Sequence, residues 1–190
     1  MRRSRTLVLA VSLAVIPAGC QPDPTQSSAF VSEAEAVAAA ERLIDRFLPA
    51  IDELRSVGGN DPAVFNGLLS ERQMAIEVES IEEKGERESF QVGKVEYFGF
   101  EAVQIVFAEE YPTTFVRVRL CFDNRGTRWV NSAGDDVTVV DREAWQPLEL
   151  ALIEDPDDPD RLVLDELNWW SGYDFCPTPR ERAPAERPSD

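Results

Sequence analysis

FVRVRLCF, residues Phe115–Phe122, alternates apolar and polar side chains with a period of two. Because successive side chains of a strand point to opposite faces, this pattern predicts a strand with one buried face. The buried face would carry Val116, Val118, Leu120 and Phe122. The other face would carry Arg117, Arg119 and Cys121. One dry face and one wet face are typical of an antiparallel sheet that helices cover on one side.

The same period recurs along the second half of the chain. It predicts further strands over Phe90–Phe98, Ala102–Ala108, Trp145–Ile153 and Arg161–Trp170. The side chains expected on the buried faces include Val103, Ile105 and Phe107, and Leu148, Leu150 and Leu152. Turn-forming residues separate the strands, among them the acidic run Asp155–Asp160 before the last strand.

Upstream of the strands, apolar residues recur at steps of three and four, which predicts helices. Ser32-Glu33-Ala34-Glu35 is a capping box and predicts that the first helix begins at Ser32. Pro49 lies inside the apolar pattern and is expected to kink this helix or end it early. Asp61-Pro62 and Ser70 predict the starts of two more helices. Helices followed by a strand meander predict an α+β fold.

The first twenty residues have the composition of a secretory signal peptide. Three arginines precede an apolar run from Leu7 to Ile16, which is too short to span a bilayer. The ending Pro17-Ala18-Gly19-Cys20 resembles the lipobox of bacterial lipoproteins, whose cysteine is acylated and becomes the new N-terminus. Pro17 departs from that motif, so secretion after cleavage at Ala18 stays open. We predict a lipoprotein signal peptide over 1–19, lipidation of Cys20, and a protein held at the outer face of the cytoplasmic membrane.

The amino-acid composition predicts how the rest of the chain is organised and which partners it can bind. Residues 20–31 are predicted to be a flexible tether, 32–176 a single domain, and 177–190 a disordered tail. The formal net charge of −17 becomes −20 when residues 1–19 and their three arginines are removed. Such a surface repels phosphate backbones and anionic headgroups, so we expect no nucleic-acid binding and a membrane attachment that depends on acyl chains.

The predicted location outside the cytoplasm indicates a role for each of the three cysteines. If Cys20 is acylated, Cys121 and Cys176 remain as an even pair in an oxidising compartment. A disulfide between them would close a loop of about 55 residues, which the chain-entropy model values at roughly 4 kcal/mol. Two free buried thiols are the alternative.

The residue types exclude several chemistries. The chain has no histidine, which removes histidine triads and histidine metal ligands. It has no nucleotide-binding glycine loop, and we expect neither a metal nor a cofactor. Asp155, Asp157, Asp158 and Asp160 could offer oxygens to Ca²⁺, but the EF-hand glycine is missing and two prolines interrupt the run. A solvated hairpin tip is the preferred interpretation, as it is for the turn at Asp135-Asp136.

Several features together resemble the secreted NTF2-like (SnoaL-like, cystatin-like cone) proteins and lipoproteins of actinobacteria. They are the N-terminal helices, the antiparallel meander, the strand ending Val118–Asp123, and the last cysteine after Gly172-Tyr173-Asp174-Phe175. The resemblance covers Ser32 to Cys176. It implies helices packed on a curved antiparallel sheet, and a disulfide between the strand cysteine and the C-terminal one.

An enzyme is one functional hypothesis. Related cones that isomerise apolar substrates use a carboxyl group as general base, with a pKa raised by apolar walls. The candidates here are Asp165 or Glu149, with Tyr97 or Tyr111 as hydrogen-bond donors.

The favoured hypothesis is a non-catalytic binding or interaction module of the cell envelope. Trp129, Trp169 and Trp170 are candidate aromatics of a ligand cleft, because adjacent Trp169 and Trp170 must point to opposite faces of a strand. The ligand would be an envelope protein or an apolar small molecule. Aromatic packing near the disulfide is the structural alternative, and an accessory lipoprotein that docks on a transporter or secretion complex is a third functional class.

Overall fold

The computed structural model describes residues 30–84, 88–107, 113–170 and 175–176. The predicted signal peptide, Cys20 and the predicted tail lie outside these residues, and so do Tyr111 and Tyr173. Across the described part of the chain, no helix combines the length and the apolar character needed to cross a membrane.

The described chain has an α+β fold in which helices precede antiparallel strands, as expected. The elements in chain order are α1 Glu33–Ser56, a 3₁₀ helix Pro62–Phe65, α2 Glu71–Lys84, β1 Ser89–Val92, β2 Glu96–Val106, β3 Phe115–Asp123, β4 Arg128–Asn131, β5 Trp145–Asp155 and β6 Asp158–Trp169. Strands β2-β3-β5-β6 form a four-stranded sheet in that order, and β1 pairs with β4 in a two-stranded sheet.

The core lies between α1 and one face of the four-stranded sheet. The alternation predicted for β3 and β5 is confirmed, since the side chains expected on the buried faces are at most 1% exposed and pair across the sheet, as Val118 does with Leu150 and Leu120 with Leu148. The helical side of this core includes Leu43, Ile44, Phe47, Leu48, Ile51 and Leu54. Apolar side chains therefore fill the space between α1 and the sheet.

The helix starts follow the predicted caps. The backbone N–H of Glu35 donates to Ser32 Oγ at 3.3 Å, and Glu35 Oε2 accepts from the backbone of Val31 at 3.0 Å. Ser70 Oγ likewise accepts from the backbone N–H of Gln73 at 3.1 Å at the start of α2. Asp61-Pro62, however, starts only a four-residue 3₁₀ turn instead of an α-helix.

The expected early end of the first helix is wrong, because α1 continues beyond Pro49 to Ser56. Proline has no N–H to donate to the carbonyl of Asp45, one turn earlier. Leu48, Ala50 and Ile51 around it are buried in the core, and their packing offsets the lost hydrogen bond.

The predicted strand Phe90–Phe98 is two strands. Gly93 has φ +94 and turns the chain between β1 and β2, and the partner of β1 is β4, which the sequence did not indicate. The predicted Ala102–Ala108 strand belongs to the longer β2, whose register on β3 shifts between Phe98 and Glu101 and again between Ala102 and Gln104. These bulges reverse the side-chain alternation.

As a consequence of the second bulge, the expected burial of Val103 is wrong. Its side chain is 36% exposed, whereas Ala102, Ile105 and Phe107 pack against the core.

Cys121 of β3 and Cys176 form a disulfide, with their Cα atoms 5.8 Å apart. This confirms the predicted pairing and rejects the alternative of two free thiols. The bridge ties the end of the described chain to the central strand of the sheet.

Candidate functional site

A cleft of about 470 Å³ lies between the middle of α1 and the beginning of β2. Residues 45, 48, 49 and 52 of α1 line one wall because side chains three and four apart share a face of a helix. The residues that lead into β2 form the opposite wall. The lining residues are Asp45, Leu48, Pro49, Asp52, Lys94, Val95, Glu96 and Tyr97. We call this the α1–β2 cleft.

The floor of the α1–β2 cleft is apolar. Leu48 and Val95 are buried, with 6% and 4% of their surface exposed, and Pro49 lies beside them. The N–H that Pro49 lacks also leaves the Asp45 carbonyl without the hydrogen bond that residue 49 of a helix normally donates.

Tyr97 and Asp45 form the polar contact across the cleft. The phenol of Tyr97 donates a hydrogen bond to Asp45 Oδ1 at 3.0 Å. Burial raises the pKa of Tyr97 to about 12, with further contributions from this hydrogen bond and from the negative charge of Asp45. At neutral pH the phenol is therefore a protonated donor.

Asp52 is held in place by the chain beside the cleft. Its Oδ1 accepts from Gln91 Nε2 at 2.7 Å and from the backbone N–H of Val95 at 3.2 Å. Gln91 is buried, and Arg55 donates to its side-chain oxygen at 3.3 Å. These bonds fasten α1 to β1 and to the entry of β2, so the walls of the cleft are fixed relative to each other.

The structure does not give Asp165 the environment of a general base. Burial alone would raise the pKa of Asp165, but hydrogen bonds from Arg72 and Ser70 outweigh it and hold the pKa below its ordinary value. Ser70 Oγ donates to Asp165 Oδ1 at 2.6 Å, and Arg72 lies 3.0 Å from Oδ2. This is the opposite of the shift expected for a carboxyl in an apolar pocket.

The surroundings of Glu149 and Tyr97 also differ from those that the enzyme hypothesis expects. Glu149 lies on the sheet face opposite the helices, where it pairs with Arg117 at 3.1 Å and with Arg119 at 2.9 Å. The expectation that Tyr97 donates to Asp165 or Glu149 is wrong, since its partner is Asp45 on α1.

The acidic hairpin is more ordered than a solvated tip. Asp155 is 6% exposed, accepts from the backbone N–H of Asp157 at 3.0 Å, and pairs with Arg161. Arg161 also lies 2.9 Å from Asp158. The solvated interpretation is therefore wrong for Asp155, whose charge the neighbouring arginine balances. Within the described ranges, no three acidic or cysteine side chains are grouped to hold a metal ion.

The candidate aromatics lie in different parts of the fold. Trp129 is in β4 of the two-stranded sheet, whereas Trp169 ends β6 of the four-stranded sheet and is 54% exposed. Trp170 is half-buried beside Arg119, and its ring centroid is 6.0 Å from that of Phe175, next to Cys176. The described contacts of Trp170 therefore correspond to packing near the disulfide.

Sequence reasoning missed the α1–β2 cleft. The signal that could have found it is the stripe Asp45, Leu48, Pro49 and Asp52, where acidic side chains and a proline interrupt the face of an otherwise core-forming helix. The facing wall could not be inferred, because the strand that provides it was assigned the wrong start.

No family model matches this chain, and no curated protein is similar to it. Among solved structures, the chain is similar to the intermembrane space region of the chloroplast protein ARC6, with a TM-score of 0.47 and 10% sequence identity. The match covers 70% of this chain and 95% of that one. A likeness this distant says nothing about function.

Proposed function

We propose that this protein is a lipid-anchored, non-catalytic binding module of the cell envelope, built on an NTF2-like α+β domain. The observation that carries the proposal is the α1–β2 cleft, which combines an apolar floor with a few polar groups in fixed positions. Its volume of about 470 Å³ lies within the range of small-molecule sites.

The envelope address is supported by the cysteines. Disulfides persist in oxidising compartments outside the cytoplasm, so the Cys121–Cys176 bridge supports an exported protein. The bridge uses two of the three cysteines and leaves Cys20 for acylation. Helices before an antiparallel meander and a bridge from the central strand to the last cysteine support the NTF2-like assignment.

A binding role is favoured over an enzyme of the SnoaL or ketosteroid-isomerase kind by the surroundings of the two predicted bases. Asp165 has a lowered pKa, and Glu149 lies between two guanidinium groups. A carboxyl that abstracts a proton near neutral pH needs a raised pKa and a place beside the substrate. Neither carboxyl lies among the apolar side chains between α1 and the sheet.

The anchor is tested by membrane fractionation of the full chain in a bacterial host. We expect the wild-type protein in the membrane fraction and Cys20→Ser in the soluble exported fraction. Ser28→Ala is the matched control in the same predicted tether and should stay with the membrane. Unchanged fractionation of Cys20→Ser, with mass spectrometry showing that its signal segment has been removed, would defeat the lipid anchor.

The binding function is tested with the mature chain that Cys20→Ser releases, against a library of small fragments by amide chemical-shift mapping. We expect the shifts to concentrate on Val95–Tyr97 and on the facing turns of α1, with the fragments recovered unchanged. Glu96→Trp should fill the cleft entrance and remove the shifts. Glu101→Trp, at an exposed position of the same strand outside the cleft, should preserve them. Shifts that persist in Glu96→Trp, or conversion of a fragment to product, contradict the proposal.

A further inference from the structure

We propose that the α1–β2 cleft binds a small organic cation, an ammonium or guanidinium group carried on an apolar body. This inference rests on the proposed binding function and names the class of ligand. It follows from the shape of the cleft, from the hydrogen-bonding capacity left in its walls, and from its charge.

The shape of the cleft calls for an apolar body. Leu48, Pro49 and Val95 form a floor with no hydrogen-bonding side chain, and contact with such a surface is favourable only for apolar atoms. Asp45, Asp52 and Glu96 also line the cleft, and the described residues hold no acidic cluster able to bind a metal ion. The geometry therefore suits an extended organic molecule better than a bare cation.

The carboxylates in the cleft walls can accept more hydrogen bonds than the described residues donate to them. An ionised carboxylate offers about four lone-pair sites. Among the described residues, Asp45 accepts from the Tyr97 phenol, and Asp52 accepts from Gln91 at Oδ1 and from the backbone N–H of Val95, which lies near both oxygens. An ammonium group has three donors and no acceptor, so it matches this surplus.

The charge of the residues that line the cleft also favours a cationic ligand. Among the described residues that line the cleft, Asp45, Asp52 and Glu96 stand against one cation, Lys94, and the mature chain carries a formal charge of −20. A cleft lined mainly by one sign of charge with low-dielectric walls concentrates ions of the opposite sign. An anionic ligand would be repelled, whereas a neutral one would gain only the apolar contact and its hydrogen bonds.

The test compares three probes that share a phenylalkyl body and differ in charge: phenethylammonium, 2-phenylethanol and 3-phenylpropionate. Each is titrated into the mature, disulfide-bonded chain of Cys20→Ser, and the dissociation constant is taken from the amide shifts of Val95–Tyr97. We expect phenethylammonium to bind at least about tenfold more tightly than 2-phenylethanol, and 3-phenylpropionate to give no shifts there. The advantage of the cation should shrink as salt is added.

Substitutions assign this preference to the cleft. Glu96→Gln, at an exposed position that does not endanger folding, and Asp45→Asn should each weaken phenethylammonium binding several-fold, and should weaken 2-phenylethanol binding much less. Glu101→Gln removes one negative charge from the same strand outside the cleft and is the matched control, with no expected change.

The possible results distinguish an error in the ligand class from a failure of the binding function. If 2-phenylethanol binds in the cleft as tightly as phenethylammonium, the ligand class is wrong while the binding function stands. If phenethylammonium shifts amides over the whole acidic surface, or Glu101→Gln weakens it as much as Glu96→Gln does, the cation is attracted by net charge alone and the inference fails. If none of the probes shifts Val95–Tyr97, the inference fails too, and the fragment mapping with Glu96→Trp decides the binding function separately.

Discussion

The guanidinium group of Arg119 lies 4.3 Å from the ring centroid of Trp170, on the face of the sheet opposite the helices. The same arginine donates from Nε to Glu149 at 2.9 Å, and the backbone N–H of Trp170 donates to the carbonyl of Pro147 at 3.0 Å. Strands β3 and β5 and the end of β6 are therefore joined on this face by one stacked and ion-paired cluster. Trp170 is fixed by these contacts, whereas its neighbour Trp169 is exposed.

The first prediction concerns this stack. In a double-mutant cycle with Arg119→Gln and Trp170→Ala, we expect a coupling free energy of about 0.5–1 kcal/mol from urea unfolding, the size of a partly exposed cation–π pair. The control cycle replaces Trp170→Ala by Trp169→Ala and should give a coupling near zero. Equal coupling in both cycles would mean that the stack contributes nothing of its own.

The second prediction concerns the Cys121–Cys176 bridge. Reduction, or Cys176→Ser, removes the constraint on a loop that spans 55 residues and should lower the free energy of unfolding by up to about 4 kcal/mol. The measurement is chemical unfolding with and without reductant. A cysteine-blocking reagent added to the unfolded but unreduced protein should leave Cys121 unmodified, and its modification would refute the bridge in solution.

The third prediction compares two glycines with nearly the same backbone. Gly93 has φ +94 and Gly134 has φ +88. A Cβ at Gly93 would overlap the carbonyl oxygen of Gly126, whereas a Cβ at Gly134 would meet nothing within 4 Å. Gly134→Ala should therefore cost about 1 kcal/mol, for the positive φ alone.

Gly93→Ala carries that same backbone cost together with the overlap. It should be at least about 2 kcal/mol worse than Gly134→Ala, because the clash is with backbone and not with a flexible side chain. Thermal unfolding of the two variants measures the difference. Similar losses would show that the turns at Gly93 and Gly126 can separate without cost.

The parts of the fold that the sequence predicted are those determined by local pattern. The alternation in Phe115–Phe122 could be read because β3 pairs with β5 in unbroken register and is buried on one face. The caps at Ser32 and Ser70 could be read because a cap depends on residues three positions apart.

The parts that the sequence missed depend on residues far apart in the chain. The bulges of β2 change which side chains face the core, so Val103 could not be placed by counting alternate residues. Strand β4 is only four residues long and exists through its pairing with β1, nearly forty residues earlier. The α1–β2 cleft likewise depends on contacts such as that between Asp45 and Tyr97, which are 52 residues apart.

The fourth prediction concerns acid stability at Asp165. Its pKa in the folded protein lies below the ordinary value of about 3.9, so Asp165 stabilises the fold above that pH, and the contribution is lost as the pH falls through the lowered pKa. Arg72→Gln should therefore reduce the free energy of unfolding at pH 7 by about 0.2–1 kcal/mol, since the arginine is half-exposed. The difference from wild type should shrink in strong acid.

The control for Asp165 is Arg42→Gln, which removes an exposed arginine from α1. It changes the net charge by the same amount but should not change the shape of the stability curve between neutral pH and strong acid. If both variants give the same curve, the effect of Arg72 is one of net charge and not of its contact with Asp165.

The fifth prediction concerns the alkaline side of the same curve. The pKa of Tyr97 is raised to about 12 from the ordinary value near 10, so the folded state favours the protonated phenol. This stabilisation is complete below about pH 10 and is lost as the pH rises from there through about 12, because the unfolded chain releases the proton first. Tyr97→Phe should therefore remove the part of the alkaline stability loss that falls in this window.

Phenolate absorbance measures the same group directly. The difference between the titrations of wild type and Tyr97→Phe isolates this tyrosine from the other two. Asp45→Asn removes the negative charge that faces the phenol, so it should lower the pKa of Tyr97, although burial keeps it above 10. Glu101→Gln removes a charge elsewhere on β2 and should leave the titration in place. A Tyr97 that titrates near 10 in the wild type would mean that the phenol is not held against Asp45 in solution.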